Sequence, residues 1–255
     1  MIIIKTREEI GQMRAAGQAV AKILELLQAN IRPGVNTGTL NAIAEEECKK
    51  RQAIPLFKNY PHPRAGKNPF PAAICASVNE EVVHGIPGTR VLKEGDIISI
   101  DFGLLLDGYA GDAAITVPVG EVSEEALRLI RYTEKTLFKG IHEARNGNRL
   151  GQVSHAIQKY AEEHGFSVVR DFVGHGIGRR MHEDPPVPNY GKSDRGPVLK
   201  EGMTIAIEPM LNIGTYNVYT QADDWTVVTR DGSLSAHFEH TIAITDRGPE
   251  ILTLR

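Results

Sequence analysis

Cysteine is nearly missing from this 255-residue chain, which holds only Cys48 and Cys75. Two thiols cannot build a disulfide framework, so a reducing compartment is the simple reading. Long apolar runs are missing too. The opening Met1-Ile2-Ile3-Ile4 gives way at once to Lys5, Arg7, Glu8 and Glu9. That is too short for a signal-peptide core and far below the roughly 20 apolar residues of a membrane-spanning helix. A cytoplasmic protein that stays off membranes is expected. Charge of one sign is also lacking: 29 Lys and Arg face 32 Asp and Glu, for a formal net charge of -3. That excludes the strongly basic footprint of a bulk nucleic-acid binder. No low-complexity segment or flexible linker interrupts the chain. What is present is an ordinary globular balance, 41% hydrophobic and 24% charged, in a chain long enough to bury a real core.

Local signals set out the elements. Thr6 and Glu9 have capping-box spacing. Ile10, Met13, Gly17, Val20, Leu24 and Leu27 then follow at helical intervals, ending before Pro33-Gly34. A second helix is expected from about Thr39 to Arg51. A proline-rich loop follows, and then strands at Ala73–Val78 and Asp96–Phe102. The second half opens alike. Ser123 caps a helix ended by Asn146-Gly147, and a further helix from Leu150 stops at Gly165.

The likeness of the halves extends to sequence. Val91-Leu-Lys-Glu-Gly-Asp-Ile-Ile-Ser-Ile-Asp101 and Val198-Leu-Lys-Glu-Gly-Met-Thr-Ile-Ala-Ile-Glu208 agree at seven of eleven positions, and both end in a carboxylate. Upstream lie His84-Gly85-Ile86 and His175-Gly176-Ile177. Arg32, Gly34 and Gly38 match Arg145, Gly147 and Gly151 at one constant offset. Lys-Glu-Gly is by itself a common turn before a strand. Two repeats are too few for a solenoid and suit a duplicated α+β domain, with a site where the halves meet.

Asp107-Gly108 is a two-residue hairpin signal. A turn closing there sets Leu106 opposite Tyr109, Gly103 opposite Asp112 and Asp101 opposite Ala114. Strand parity then puts Asp101 and Asp112 on one face as diagonal neighbours, about 7–8 Å apart at the backbone. Two acids among Ile98, Ile100, Ala113 and Ile115 need relief: a bound cation, a shared proton, or exposure to solvent. Glu208 holds the repeat position equivalent to Asp101. Glu239 sits in the return strand of a second expected hairpin at Asp231-Gly232, and alone would read as a solvated edge residue. His175, among glycines, alone would read as structural. Together, Asp101, Asp112, His175, Glu208 and Glu239 offer four carboxylates and one imidazole, enough for two divalent ions that promote hydrolysis. Such ligands suit manganese, cobalt, iron(II) or zinc.

The spacing of these five residues resembles the ligand set of the methionine aminopeptidases and their pita-bread relatives. Matching runs are Asn79-Glu80, His84-Gly85-Ile86-Pro87, Gly95-Asp96-Ile97, Gly108-Tyr109-Ala110-Gly111-Asp112, Gly174-His175-Gly176-Ile177-Gly178, Ile207-Glu208-Pro209 and Glu239-His240-Thr241. They cover nearly the whole chain and are highly specific taken together. The bacterial type I members are the nearest description, because neither a cysteine-rich N-terminal extension nor a long insertion between Glu183 and Glu208 is present. The resemblance implies an internally duplicated α+β pita-bread fold, with a central antiparallel sheet and helices outside. Residues 1–255 would be one catalytic domain of two pseudo-symmetric halves, about 1–120 and 121–255. It implies that Asp101, Asp112 and Glu239 hold one metal and that Asp112, His175, Glu208 and Glu239 hold another. Glu208 would act as proton shuttle, and His84 would contact the scissile amide. His182 would hydrogen-bond the substrate carbonyl and the tetrahedral intermediate. Phe70, Cys75, Met181 and Trp225 would form the methionine pocket, although the family pattern has an aromatic residue at Met181. The loop between Phe57 and Phe70 looks longer than in compact members.

The implied activity is removal of the N-terminal methionine from nascent proteins and peptides with a small second residue. The implied protein is a monomer in transient contact with the ribosome. Two alternatives share the resemblance. Proline-specific aminopeptidases usually carry an added N-terminal domain, whereas the duplicated unit here starts almost at residue 1. Non-catalytic binding proteins on the same fold typically lose metal ligands, and this chain keeps all five. A dinucleotide-binding reading of the glycines around His175 lacks the strand–loop–helix context and the later acid.

Overall fold

The structure, a computed structural model, describes residues 1–254. The Thr6 hydroxyl accepts the Glu9 N–H at 3.2 Å, and the Glu9 carboxylate accepts the Thr6 N–H at 2.9 Å. That reciprocal cap starts α1 (Arg7–Asn30). The Asn36 side chain accepts the Thr39 N–H and starts α2 (Thr37–Lys50), slightly earlier than the sequence suggests. Next come β1 (Ile54–Pro55), β2 (Cys75–Val78), β3 (Glu81–Val83), β4 (Ile97–Leu106) and β5 (Tyr109–Pro118). Ser123 caps α3 (Glu124–Glu143), whose C-cap is Ala144, ahead of Asn146-Gly147. Helix α4 (Leu150–Glu163) ends before Gly165, as expected. The remaining strands are β6 (Ser167–Val168), β7 (Gly174–Gly176), β8 (Glu183–Val187), β9 (Thr204–Ile207), β10 (Met210–Asn212), β11 (Val218–Thr220), β12 (Val227–Thr229), β13 (Ser235–His237), β14 (Glu239–Thr245) and β15 (Gly248–Ile251).

A nine-stranded antiparallel sheet runs β1-β4-β5-β14-β9-β7-β8, with β2 beside β4 and β15 beside β14. Alternation divides its faces. Ile98, Ile100, Phe102, Leu104, Ala113 and Val117 of β4 and β5 pack under α1 and α2. Ile205, Ile207, Ile242 and Ile244 of β9 and β14 pack under α3 and α4. The helices thus cover one face of the sheet, and residues of opposite parity turn to the other. Gly17 and Gly111 let α1 approach closely: a Cβ on Gly111 would lie 2.8 Å from the Gly17 nitrogen.

Paired backbone bonds tie corresponding segments. Gly34 N–H donates to Leu92 O and Gly147 N–H to Leu199 O, both at 2.9 Å. Leu92 N–H donates to Val35 O and Leu199 N–H to Asn148 O, both at 2.8 Å. The bridges Asn36–Val91 and Arg149–Val198 complete the match.

The Asp107-Gly108 hairpin has the expected register: Leu106 opposite Tyr109, Gly103 opposite Asp112, Asp101 opposite Ala114. The second expected hairpin does not form. The turn at Asp231-Gly232 exists, but β12 before it pairs with β11 and β3, while β13 after it pairs with β10. Asp231 spends its carboxylate on the Thr215 N–H at 2.7 Å and the Ser233 hydroxyl at 2.7 Å. This fixes a turn that passes the chain between sheets.

Candidate active site

Two rows of residues cross the open face of the sheet. In the first, Cys75 pairs with Asp101, Asp101 with Ala114, and Ala114 with Glu239, across β2, β4, β5 and β14. In the second, Gly103 pairs with Asp112. The Asp112 backbone exchanges bonds with the Thr241 hydroxyl at 3.2 and 2.8 Å. Thr241 pairs with Ala206, and Ala206 with His175. Glu208 follows the end of β9 with the parity of Ala206. Strand alternation therefore delivers all five predicted ligands to one face. Small residues separate them: a Cβ on Gly103 would meet Asp112 Oδ1 at 2.9 Å.

Ligand-capable atoms of Asp112, His175 and Glu239 lie within 4.8 Å of one another. His175 Nε2 is 3.6 Å from Glu208 Oε1. His175 Nδ1 donates to the Gly176 carbonyl at 2.9 Å, which leaves Nε2 as a lone pair facing the acids. Asp112 and Glu239 are only 3% and 2% exposed. Among the described residues, Asp101 Oδ1, Asp112 Oδ1 and Glu239 Oε1 are buried with no hydrogen-bond partner. Such atoms are costly unless something occupies them. Burial pushes Asp112 up to about 7. Burial first, and then the charge of Asp112, hold Asp101, Glu208 and Glu239 well above the ordinary carboxylate range. Burial lowers His175 to about 3, so its ring is neutral and able to ligate. Oxygen donors in excess, one neutral imidazole and orphaned lone pairs fit divalent cations.

The cluster floors a cavity of about 600 Å³, and every residue predicted for the site lines it: Phe70, Cys75, His84, Asp101, Asp112, His175, Met181, His182, Glu208, Trp225 and Glu239. Phe57, Phe70, Cys75 and Met181 form an apolar wall with Trp225 and Tyr60 against it. The rings of Phe70 and Trp225 meet edge-on at 5.3 Å. Burial and the neighbouring acids hold the Cys75 thiol well above its ordinary range, so it behaves as a small apolar group. His84 holds a left-handed backbone, φ +60, beside Gly85, whose Cβ would lie 2.5 Å from Ala76 O. Strain of this kind concentrates at functional sites. Burial, then the charge of His182, lowers His84 to about 4. The His182 ring meets that of His175 at 4.2 Å, and burial lowers its pKa as well.

Three contributors have no assigned role in the sequence reading, which places Tyr60 and His62 only in a loop that either shapes the entrance or is a surface excursion. Tyr60 hydrogen-bonds His182 Nδ1 at 2.6 Å. His62 stacks edge-on against Trp225 at 4.8 Å. His237 is buried, and among the described residues its Nε2 has no hydrogen-bond partner and lies 3.8 Å from Glu208 Oε2. Only the alternation within Ser235-Ala236-His237-Phe238-Glu239 hints that His237 shares the parity of Glu239. The Phe57–Phe70 loop crosses to the second half of the chain. Its neck closes through Asn59 N–H to Phe70 O at 2.8 Å and Phe70 N–H to Tyr60 O at 2.9 Å. Beyond the neck, Lys67 pairs with Asp224 at 2.8 Å, and Trp225 Nε1–H donates to Asn68 O at 3.1 Å.

Comparison with known proteins gives a consistent result. Residues 11–246 match the model of metallopeptidase family M24. A methionine aminopeptidase of Clostridium acetobutylicum is 58% identical over 255 residues, covering 100% of this chain and 99% of that protein. Methionine aminopeptidase 1 of Bacillus subtilis is 56% identical, covering 99% of each. The crystal structure of methionine aminopeptidase from Rickettsia prowazekii superposes with a TM-score of 0.95 at 45% identity, covering 100% of both chains.

Proposed function

Because the chain belongs to metallopeptidase family M24, we infer that it is a metal-dependent aminopeptidase removing the N-terminal methionine of peptides and nascent proteins with a small second residue. One observation carries this reading: orphaned carboxylate oxygens around a neutral imidazole, at the floor of a cavity with an apolar, sulfur-lined wall. Asp101, Asp112 and Glu239 would hold one divalent ion, and Asp112, His175, Glu208 and Glu239 a second, with Asp112 and Glu239 shared. Cobalt, manganese, iron(II) and zinc all suit these donors. When bound, such ions supply Lewis-acid polarisation of the scissile carbonyl and a water acidified toward a pKa of about 7.

The chain's own groups do the rest. Phe70, Cys75, Met181 and Trp225 receive the unbranched thioether. Met181, where the family pattern has an aromatic, gives that pocket a flexible wall. Glu208, at the cavity edge of the cluster, takes the proton from the attacking water and passes it to the departing amine. His182 donates to the carbonyl oxygen as negative charge develops there. His84, held by its left-handed backbone, meets the scissile amide. The substrate is the N-terminus of a nascent chain, met in transient contact with the ribosome by a cytoplasmic monomer. Among the described residues no helix is long and apolar enough to cross a membrane.

The test compares Met-Ala-Ser and Met-Pro-Ala with metal-stripped protein, before and after adding manganese or cobalt. Free methionine released from Met-Ala-Ser only with metal is expected. Cleavage confined to Met-Pro-Ala favours a proline-specific enzyme. No release from folded, metal-loaded protein favours a non-catalytic binding role. His182→Ala is expected to slow turnover by roughly 10²–10³ with the metal content unchanged.

A further inference from the structure

The Tyr60 hydroxyl lies 2.6 Å from His182 Nδ1, and the two rings meet edge-on with centroids 5.3 Å apart. The contact spans the site, joining the loop after β1 to the turn before β8. Tyr60 is held firmly for a loop residue. Its N–H donates to Phe57 O at 2.9 Å, and its carbonyl accepts the Phe70 N–H at 2.9 Å. On its other side the His182 ring rests against His175 at 4.2 Å. The imidazole therefore has one neighbour that packs and one that hydrogen-bonds.

A neutral imidazole has one N–H and one lone pair, and the partner of either nitrogen decides which is which. A phenol near neutral pH keeps its proton, which leaves only at a pKa of about 10, and can donate or accept; against an imidazole nitrogen, a far better base than a phenol oxygen, it donates. A hydroxyl donating to Nδ1 makes Nδ1 the acceptor and puts the ring hydrogen on Nε2. We propose that Tyr60 is a positioning residue, whose hydrogen bond holds His182 in the Nε2–H tautomer and so presents a donor to the substrate carbonyl. Without that bond, a share of His182 rings offers the carbonyl a lone pair, which repels the developing negative charge. This inference rests on the donor role of His182 in the proposed aminopeptidase reaction. It assigns Tyr60 no contact with substrate.

The test pairs kinetics with spectroscopy at pH 8, where the imidazole is neutral. With manganese-loaded enzyme and Met-Ala-Ser, Tyr60→Phe keeps the ring and loses only the hydroxyl. It is expected to lower kcat about tenfold, less than the roughly 10²–10³ that outright loss of a donor costs because the His182 ring stays in place, with KM within about twofold. In a His182→Ala background the same substitution is expected to change nothing, because the two residues act as one unit. In zinc-loaded protein with ¹⁵N-labelled histidine, the His182 signals, assigned by their loss in His182→Ala, are expected to show protonated Nε2. In Tyr60→Phe they should move toward a tautomer mixture. Wild-type kcat in Tyr60→Phe overturns the proposal. So does an equal loss in both backgrounds, which would mean that Tyr60 shapes the pocket independently of His182. If the wild type itself releases no methionine, the aminopeptidase reading fails, and an unchanged tautomer in Tyr60→Phe then overturns the positioning role on its own.

Discussion

Lys5 ends the apolar opening of the chain, and sequence alone gives it no further task. In the fold its ammonium pairs with Glu183 Oε2 at 2.5 Å, with the two side chains 4% and 2% exposed. Glu183 also accepts the backbone N–H groups of Arg179 at 3.0 Å and Arg180 at 3.3 Å, so it organises the turn that carries His182. Removing one partner of a buried pair strands the other charge. Lys5→Met is expected to cost about 3–5 kcal/mol, measured by urea unfolding. Lys5→Met with Glu183→Gln should recover part of that loss, and a double variant no more stable than the single one would contradict the account. The five proposed ligands were legible for different reasons: hairpin parity joins Asp101 to Asp112, the internal repeat marks His175 and Glu208, and Glu239 stood out only beside the other acids. Lys5, Tyr60 and His237 were not, because their partners lie far away in sequence and no local pattern marks the contact.

Helix α1 shows how an element can reverse a residue's intrinsic preference. Gly17 lies inside it, and a mid-helix Gly→Ala change ordinarily gains about 1 kcal/mol. Here the added Cβ would fall 2.3 Å from Leu252 O and 2.7 Å from the carbon behind it. The obstacle is backbone and cannot rotate away. Gly17→Ala is expected to destabilise by about 1–3 kcal/mol. Gly11→Ala on the same helix meets nothing within 4 Å among the described residues and should gain up to about 1 kcal/mol. Thermal melts of both variants under one set of conditions decide it: melting-temperature shifts of the same sign would show that close packing does not govern. Helix positions were readable where caps and periodicity speak, as at Thr6, Ser123 and Gly165. The hairpin at Asp107-Gly108 was readable because its strands stay together in one sheet. The turn at Asp231-Gly232 was misread because the local turn signal is the same whether or not the flanking strands pair. Only the competing partners β3, β10 and β11 send them apart.

At the scale of the whole molecule, the site needs distant parts of the chain. Asp101 and Asp112 come from the β4–β5 hairpin, while His175, Glu208 and Glu239 arrive more than sixty residues later on strands that join the same sheet. The matched backbone bonds at Gly34 and Gly147 support the proposal of two equivalent halves, about 1–120 and 121–255, facing each other across the cluster. The consequence is a fold whose metal-free stability depends on pH in a sense opposite to that of most proteins. Asp112, raised to about 7, and Asp101, Glu208 and Glu239, held well above the ordinary carboxylate range by burial and by the charge of Asp112, keep protons in the metal-free folded state at pH values where free carboxylates ionise. The unfolded chain releases them near pH 4. The folded state then binds more protons than the unfolded one, so stability falls as pH rises. Buried histidines act in the other direction. His84, His175 and His237, lowered to between about 3 and 4, make stability rise with pH until the unfolded histidines lose their protons near 6.5. Above about pH 7.5 the histidine contribution is nearly complete, and the acids, with the buried Cys75 and Cys48 thiols whose pKa values burial also raises, act in one direction. From about pH 7.5 to 8.5 the chelated protein is therefore expected to lose melting temperature. Manganese-loaded protein should hold it, because bound cations accept the ionised acids and favour the folded state by mass action. The gap should widen with pH and shrink in Asp112→Asn, which removes one of the titrating groups together with a proposed metal ligand. Parallel melting profiles with and without metal would mean that the buried acids are relieved by something other than a cation.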